Sequence, residues 1–93
     1  DLGAVLMKSF FYTLTEAEEL PRSILFVNSG VYLTVKGSPV LEFIKILEDR
    51  GVKILSCGTC LDYYKLKDKL AAGSITNMYT IVAEMNAGPV VTL

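Results

Sequence analysis

The sequence predicts a single α/β domain on a mainly parallel sheet, and three observations carry that prediction. Short apolar runs rich in β-formers stand at 24–28, 52–56 and 90–93. Between the first two lies a stretch with helical spacing, the βαβ pattern of parallel strands joined by a crossover helix. The length, 93 residues, suits one hydrophobic core but not two.

The composition supports a globular chain: 52% of residues are hydrophobic and 20% charged. A net charge of −1, without basic clustering, offers no general attraction for nucleic acid or anionic lipid. No apolar run approaches the roughly eighteen residues of a membrane span. The start, Asp1-Leu2-Gly3, has neither a basic region nor a cleavage site, and with two cysteines this points to the reducing cytoplasm. A positive mean hydropathy is high for so small a domain, so part of the apolar surface is expected at an interface, as in a homo-oligomer.

The elements follow in order. Residues 2–16 read as a helix with Leu2, Val5, Leu6, Phe10 and Leu14 on one face, and Met7 and Phe11 on a second. Leu20-Pro21-Arg22-Ser23 is a break before the first strand, and Asn28-Ser29-Gly30 is a turn. Val31, Leu33 and Val35 alternate with Tyr32 and Thr34, which by pattern alone is a hairpin strand. Ser38 and Pro39 then open a helix with Val40, Leu41, Ile44 and Leu47 as its buried stripe and Gly51 as its stop. After the cysteines, 60–70 is helical in one or two pieces, and Gly73 breaks the chain. Thr76 or Asn77 caps a last helix whose stripe is Met78, Ile81, Val82 and Met85.

The only constellation of reactive groups is Cys57-Gly58-Thr59-Cys60, directly after an apolar strand. Open α/β sheets place ligands beyond the carboxyl ends of their strands. Thr59 and Asp62 resemble a capping box, which puts a helix start, with its free N–H groups and dipole, at the thiols. Such a setting lowers a cysteine pKa from about 8.5 and makes a nucleophile towards disulfides and persulfides. Gly58 leaves room for a sulfur-sized ligand, and Thr59 stands beside it. Cys57, ending the strand, is expected to face the cleft; Cys60, in the first helical turn, is expected to point back towards the core.

Three other accounts of the cysteines stay open. Two free cysteines can simply pack in a core. A structural zinc site needs four ligands, and with no histidine the chain would have to share a four-cysteine site across a dimer, so no metal is expected. A strand–CxxC–helix order is also thioredoxin-like, and Pro89 before the last β-run mimics the proline set opposite such cysteines. Ser56, however, stands where those proteins carry an aromatic. Asn28, Ser29 and Gly30 end a strand and so are candidates to line the cysteine pocket, though a plain turn serves equally. Tyr63 and Tyr64 read as packing residues, and Lys65, Lys67 and Lys69 as a solvated face. No phosphate loop or dinucleotide fingerprint is present, so no cofactor is expected.

Leu2-Gly3 with Leu6-Met7-Lys8, Asn28-Ser29-Gly30-Val31, Cys57-Gly58-Thr59-Cys60-Leu61-Asp62-Tyr63-Tyr64 and Thr76-Asn77-Met78-Tyr79 together resemble the YedF family of selenium metabolism proteins, in its C-terminal, DsrE-like domain. The resemblance covers nearly the whole chain. It implies a three-layer α/β/α sandwich with a five-stranded, mainly parallel sheet, and a loop rather than a strand over 31–35. It also implies a first strand, a glycine-rich loop and a TusA-like sulfur-carrier domain ahead of Asp1, making 1–93 a single, N-terminally shortened DsrE-like domain. In that group a cysteine at the end of a central strand carries sulfur as a persulfide. The matching residue is Cys57; Cys60 has no matching role, and Lys65 stands where glycine is expected.

The expected function is therefore a sulfur or selenium relay on Cys57 with Cys60 as its neighbour, served by a sulfur-carrier or TusA-like partner. The alternatives are a docking domain for such carriers and a dithiol oxidoreductase.

Overall fold

The computed structural model describes residues 2–93. In chain order the elements are α1 (Leu2–Glu16), β1 (Ser23–Phe26), a 3₁₀ helix (Asn28–Thr34), α2 (Leu41–Asp49), β2 (Lys53–Cys57), α3 (Gly58–Tyr63), a 3₁₀ turn (Lys67–Lys69), β3 (Ser74–Thr76), α4 (Met78–Ala87) and β4 (Val90–Thr92). The four strands form one sheet in the order β3-β2-β1-β4, every neighbouring pair parallel. The three expected strands are all present. β3, with only Ser74, Ile75 and Thr76, is too short for the sequence pattern to mark, and with it the described residues form four strands.

Alternation along the strands builds the layers. Ile24, Phe26 and Ile54 face a core shared with Phe11 of α1, Ile44 and Leu47 of α2, and Leu61 of α3. Leu25, Leu55 and Cys57 face the other way, against Ile81 of α4. Helices thus cover both sides, which is why β1 is buried at every position. No helix among the described residues is long and apolar enough to cross a membrane.

α2 ends as the sequence predicts. The Val52 N–H donates to Leu47 O and the Gly51 N–H to Glu48 O, the paired bonds of a Schellman stop, with Gly51 at φ +95°. Its start differs: Val40 is the cap, and the Ser38 hydroxyl only accepts a bond from the Val40 N–H at 3.3 Å. Segment 31–35 is no hairpin strand. It forms the 3₁₀ helix, with Val35 making one antiparallel bridge to Leu70. The period-2 alternation does not decide what is buried: within the 3₁₀ helix Val31 and Thr34 sit inward, three apart, as 3₁₀ spacing requires.

Both outer helix stripes are corrected. In α1 the second face is the buried one: Phe11 is buried with Met7 packed beside it, and of the first stripe only Leu14 joins them, while Leu2, Val5, Leu6 and Phe10 are exposed. Residues 7, 11 and 14 are themselves at helical spacing, so periodicity could not choose between two apolar faces. In α4 only Ile81 of the stripe is buried; Met78, Val82 and Met85 are exposed. The other buried residue is Glu84, because its carboxylate meets Lys53 Nζ at 3.1 Å and Arg22 Nε at 3.3 Å, at the amino ends of β2 and β1.

Candidate functional site

β2 is an interior strand, and Cys57 is its last residue, in register with Thr76 of β3. The backbone stays extended at Cys57 and turns helical at Gly58, so Cys57 caps α3 and Cys60 lies in its first turn. The predicted capping box does not form. Cys57 makes no side-chain cap bond, Thr59 lies within the helix, and Asp62 instead pairs with Lys67 Nζ at 3.0 Å. Because the helix is capped two residues earlier, at Cys57, Thr59 lies beyond the point where its hydroxyl could cap.

The two thiols open on one cleft of about 550 Å³ at the carboxyl edge of β2 and β3. Its walls are Gly58, Thr59, Asp62 and Lys67 on one side, and Ile75, Thr76, Asn77 and Met78 on the other. Asn77 holds its wall in place by capping α4, its side-chain oxygen accepting from the Thr80 N–H at 2.9 Å. Gly58 and Thr59 lie in this cleft as expected. The space left by the missing side chain of Gly58 is nonetheless used for packing: a Cβ there would come within 3.1 Å of Ile75 Cγ2 and 3.3 Å of Thr76 O.

The other proposed lining residues divide. Asn28 lines a second, smaller cleft of about 260 Å³ with Thr59, Cys60, Tyr63 and Tyr64. Ser29 and Gly30 line neither; they face a third cleft with Gly3, Met7, Leu33 and Leu93, beside the β1–β4 pair. The 3₁₀ helix turns the chain away from the cysteines directly after Asn28, and this separates them. Residues 75–78, Asp62 and Lys67 were missed as lining. Their only sequence signal was the Asn77 cap, which places a helix start without showing that it faces β2.

Both cysteines are free, and the expected difference in burial is reversed: Cys57 is 6% exposed and Cys60 is half-buried. The surroundings of Cys60 nevertheless oppose activation of its thiol. Burial pushes its pKa above the ordinary thiol value, a hydrogen bond with the Cys57 thiol pushes it the same way, and the Asn28 N–H, donating to Cys60 Sγ at 3.2 Å, pulls it back. A six-residue helix has little dipole to set against that burial.

Two findings weigh on the thioredoxin-like reading. Ser56 is fully buried and its Oγ lies 2.8 Å from Thr34 Oγ1, so this position holds a small polar side chain in a core with no room for an aromatic. Pro89 accepts from the Arg22 N–H at 2.7 Å, at the amino ends of the parallel strands. The cysteines are at the opposite edge. Among the described residues no three His, Cys, Asp or Glu side chains gather as metal ligands would.

The molecule is thus a parallel α/β sandwich with two thiols in a cleft at the carboxyl end of an interior strand, the edge at which open α/β sheets place ligands. The chain belongs to the DsrE/DsrF-like family, whose sequence model matches residues 7–93. At the level of that family it is a sulfur-relay-type domain. Comparison with curated proteins finds no matching sequence.

Proposed function

We propose that the domain carries a sulfane sulfur as a persulfide on Cys57. The Cys57 thiolate attacks the outer sulfur of a donor persulfide; the donor S–S bond breaks and the donor leaves as a thiolate. An acceptor thiolate later removes the same sulfur and returns Cys57 to its thiolate form. The observation that carries this reading is the position of Cys57, ending an interior strand in a cleft of about 550 Å³ that a second thiol also lines. Family membership supports it.

Within that reading the resemblance to the YedF family favours selenium as an alternative cargo and a TusA-like carrier as partner. Free thiols in working order fit the cytoplasm. The exposed apolar face of α1, with Leu2, Val5 and Leu6, supports self-association, which light scattering across a concentration range tests.

The shared cleft of the two thiols favours one second reading, a dithiol–disulfide couple. Intact-protein mass measured after exposure to a persulfide donor separates the two. A one-sulfur adduct that persists in Cys60→Ser and disappears in Cys57→Ser is expected. A clean loss of two hydrogens overturns the carrier reading in favour of the couple, and no change in either thiol leaves a docking domain.

A further inference from the structure

Cys60 belongs to two clefts and Cys57 to one. Thr59 and Cys60 form a shared wall: on one side is the large cleft with Cys57, Ile75 and Met78, on the other the small cleft with Asn28, Tyr63 and Tyr64. We propose that Cys60 is a second sulfur station, at which sulfur taken up on Cys57 passes to an acceptor thiol held in the Asn28–Tyr63–Tyr64 cleft. This rests on the persulfide reading of Cys57.

The transfer balances without an oxidant or reductant. The Cys60 sulfur attacks the outer sulfur of the Cys57 persulfide; the Cys57 S–S bond breaks, a Cys60 S–S bond forms, and the Cys60 proton ends on the departing Cys57 sulfur. The acceptor thiolate then attacks the outer sulfur of Cys60, which leaves as a thiolate. Both thiols line the same cleft, and this supplies the proximity that the first step needs. The second step has a fixed donor at its leaving group, because the Asn28 N–H already points at Cys60 Sγ from 3.2 Å. Attack on the inner sulfur of Cys57 would instead give the Cys57–Cys60 disulfide and hydrogen sulfide.

The small cleft also fits an acceptor by size and surface. Tyr63 is 80% exposed and meets Tyr64 edge-on at 5.1 Å between centroids, and Tyr64 in turn meets Tyr32 at 5.0 Å. This is an aromatic wall of a cleft of about 260 Å³, room for a thiol on a short carrier but not for a folded domain. A donor seated over the large cleft leaves this one open. Sulfur can then arrive on one side of the Thr59–Cys60 wall and depart on the other.

The experiment loads the protein with inorganic polysulfide, removes the excess, and follows discharge by intact mass with N-acetylcysteine in one arm and a cysteine-bearing peptide in the other. Cys60→Ser is expected to take up one sulfur and to lose it about tenfold more slowly than wild type, through loss of the positioned second thiol. The ratio of discharge rate to loading rate is expected to fall in Tyr63→Ala and to rise in Met78→Ala. Faster discharge by N-acetylcysteine assigns a small thiol as the acceptor, and faster discharge by the peptide assigns a protein side chain. Sulfur that loads on Cys57 and leaves Cys60→Ser at the wild-type rate overturns the second station alone, as does a discharge-to-loading ratio that both cleft variants leave unmoved. A wild-type protein that takes up no sulfur overturns the persulfide reading and the station with it.

Discussion

The backbone N–H of Asn28 donates to the sulfur of Cys60 across 3.2 Å, joining the exit of β1 to the first turn of α3. Asn28 holds this direction at φ +50°, in the left-handed region. Glycine tolerates that conformation and keeps the N–H, whereas a β-branched residue is strained there. Asn28→Gly is therefore expected to leave the alkylation profile of Cys60 in place. Asn28→Val should move it to higher pH, since it removes the one influence that lowers the Cys60 pKa against burial and the Cys57 bond. Alkylation rates against pH, in a Cys57→Ser background to isolate the thiol from its neighbour, check the shift.

The stop of α3 holds a removable strain. Lys65 sits at φ +59°, with its N–H bonded to Asp62 O and the Leu66 N–H to Leu61 O, a Schellman stop that normally uses glycine. Lys65→Gly is expected to raise stability by about 0.5–1 kcal/mol, the left-handed penalty less the entropy that glycine adds to the unfolded chain. A denaturant midpoint at or below wild type would contradict this.

Thr34 and Ser56 form a buried hydroxyl pair behind the cysteine loop. Thr34 Oγ1 donates to Val31 O at 3.0 Å, so the proton in the 2.8 Å contact comes from Ser56. Thr34→Val should cost about 1–3 kcal/mol, because Ser56 keeps a buried hydroxyl without a partner. Adding Ser56→Ala should recover part of that loss. Simple additivity of the two substitutions in urea unfolding would show that the hydroxyls do not interact.

Glu84 makes the fold sensitive to acid. The Lys53 ammonium, bonded to its carboxylate, holds the group below its ordinary value of 4.5 despite the opposing effect of burial. A carboxyl lowered in the folded state stabilises fully above its unfolded value and loses that contribution as pH falls through the folded one. Wild-type stability should therefore decline below about pH 4.5 more steeply than that of Glu84→Gln. Parallel urea-midpoint profiles of the two proteins would contradict it.

The sequence discloses most readily what repeats. β1, β2 and β4, the α2 stripe and its Schellman stop, and the Asn77 cap were legible because each depends on neighbours in the chain. The positive φ at Lys65 agrees with the glycine that the family resemblance expected there. What stayed hidden depends on distant residues. Glu84 reads as a solvent-facing charge until Arg22 and Lys53 are brought beside it, and the buried face of α1 is decided by Phe26, which stacks on Phe11 at 6.2 Å. The cysteine cleft was placed correctly at a strand end, but its far wall, 75–78, comes from a three-residue strand with no periodicity to show. Ser29 and Gly30 follow the end of a strand and so belong, by sequence, to the cysteine edge of a parallel sheet, but one 3₁₀ turn carries them to another cleft.

The all-parallel order β3-β2-β1-β4 has a kinetic meaning for the thiols. No two neighbouring strands can be joined by a tight turn, so every pairing must wait for a long crossover to close, and such topologies assemble slowly. Before β1 docks, Cys60 has no Asn28 N–H; before β3 docks, Cys57 has no opposing cleft wall. A nascent chain therefore presents two ordinary thiols separated only by Gly58 and Thr59, open to whatever oxidant it meets. The distinction between one cysteine and the other is made by the docking of β1 and β3, and the interval before it is when the two thiols are least distinguished from each other.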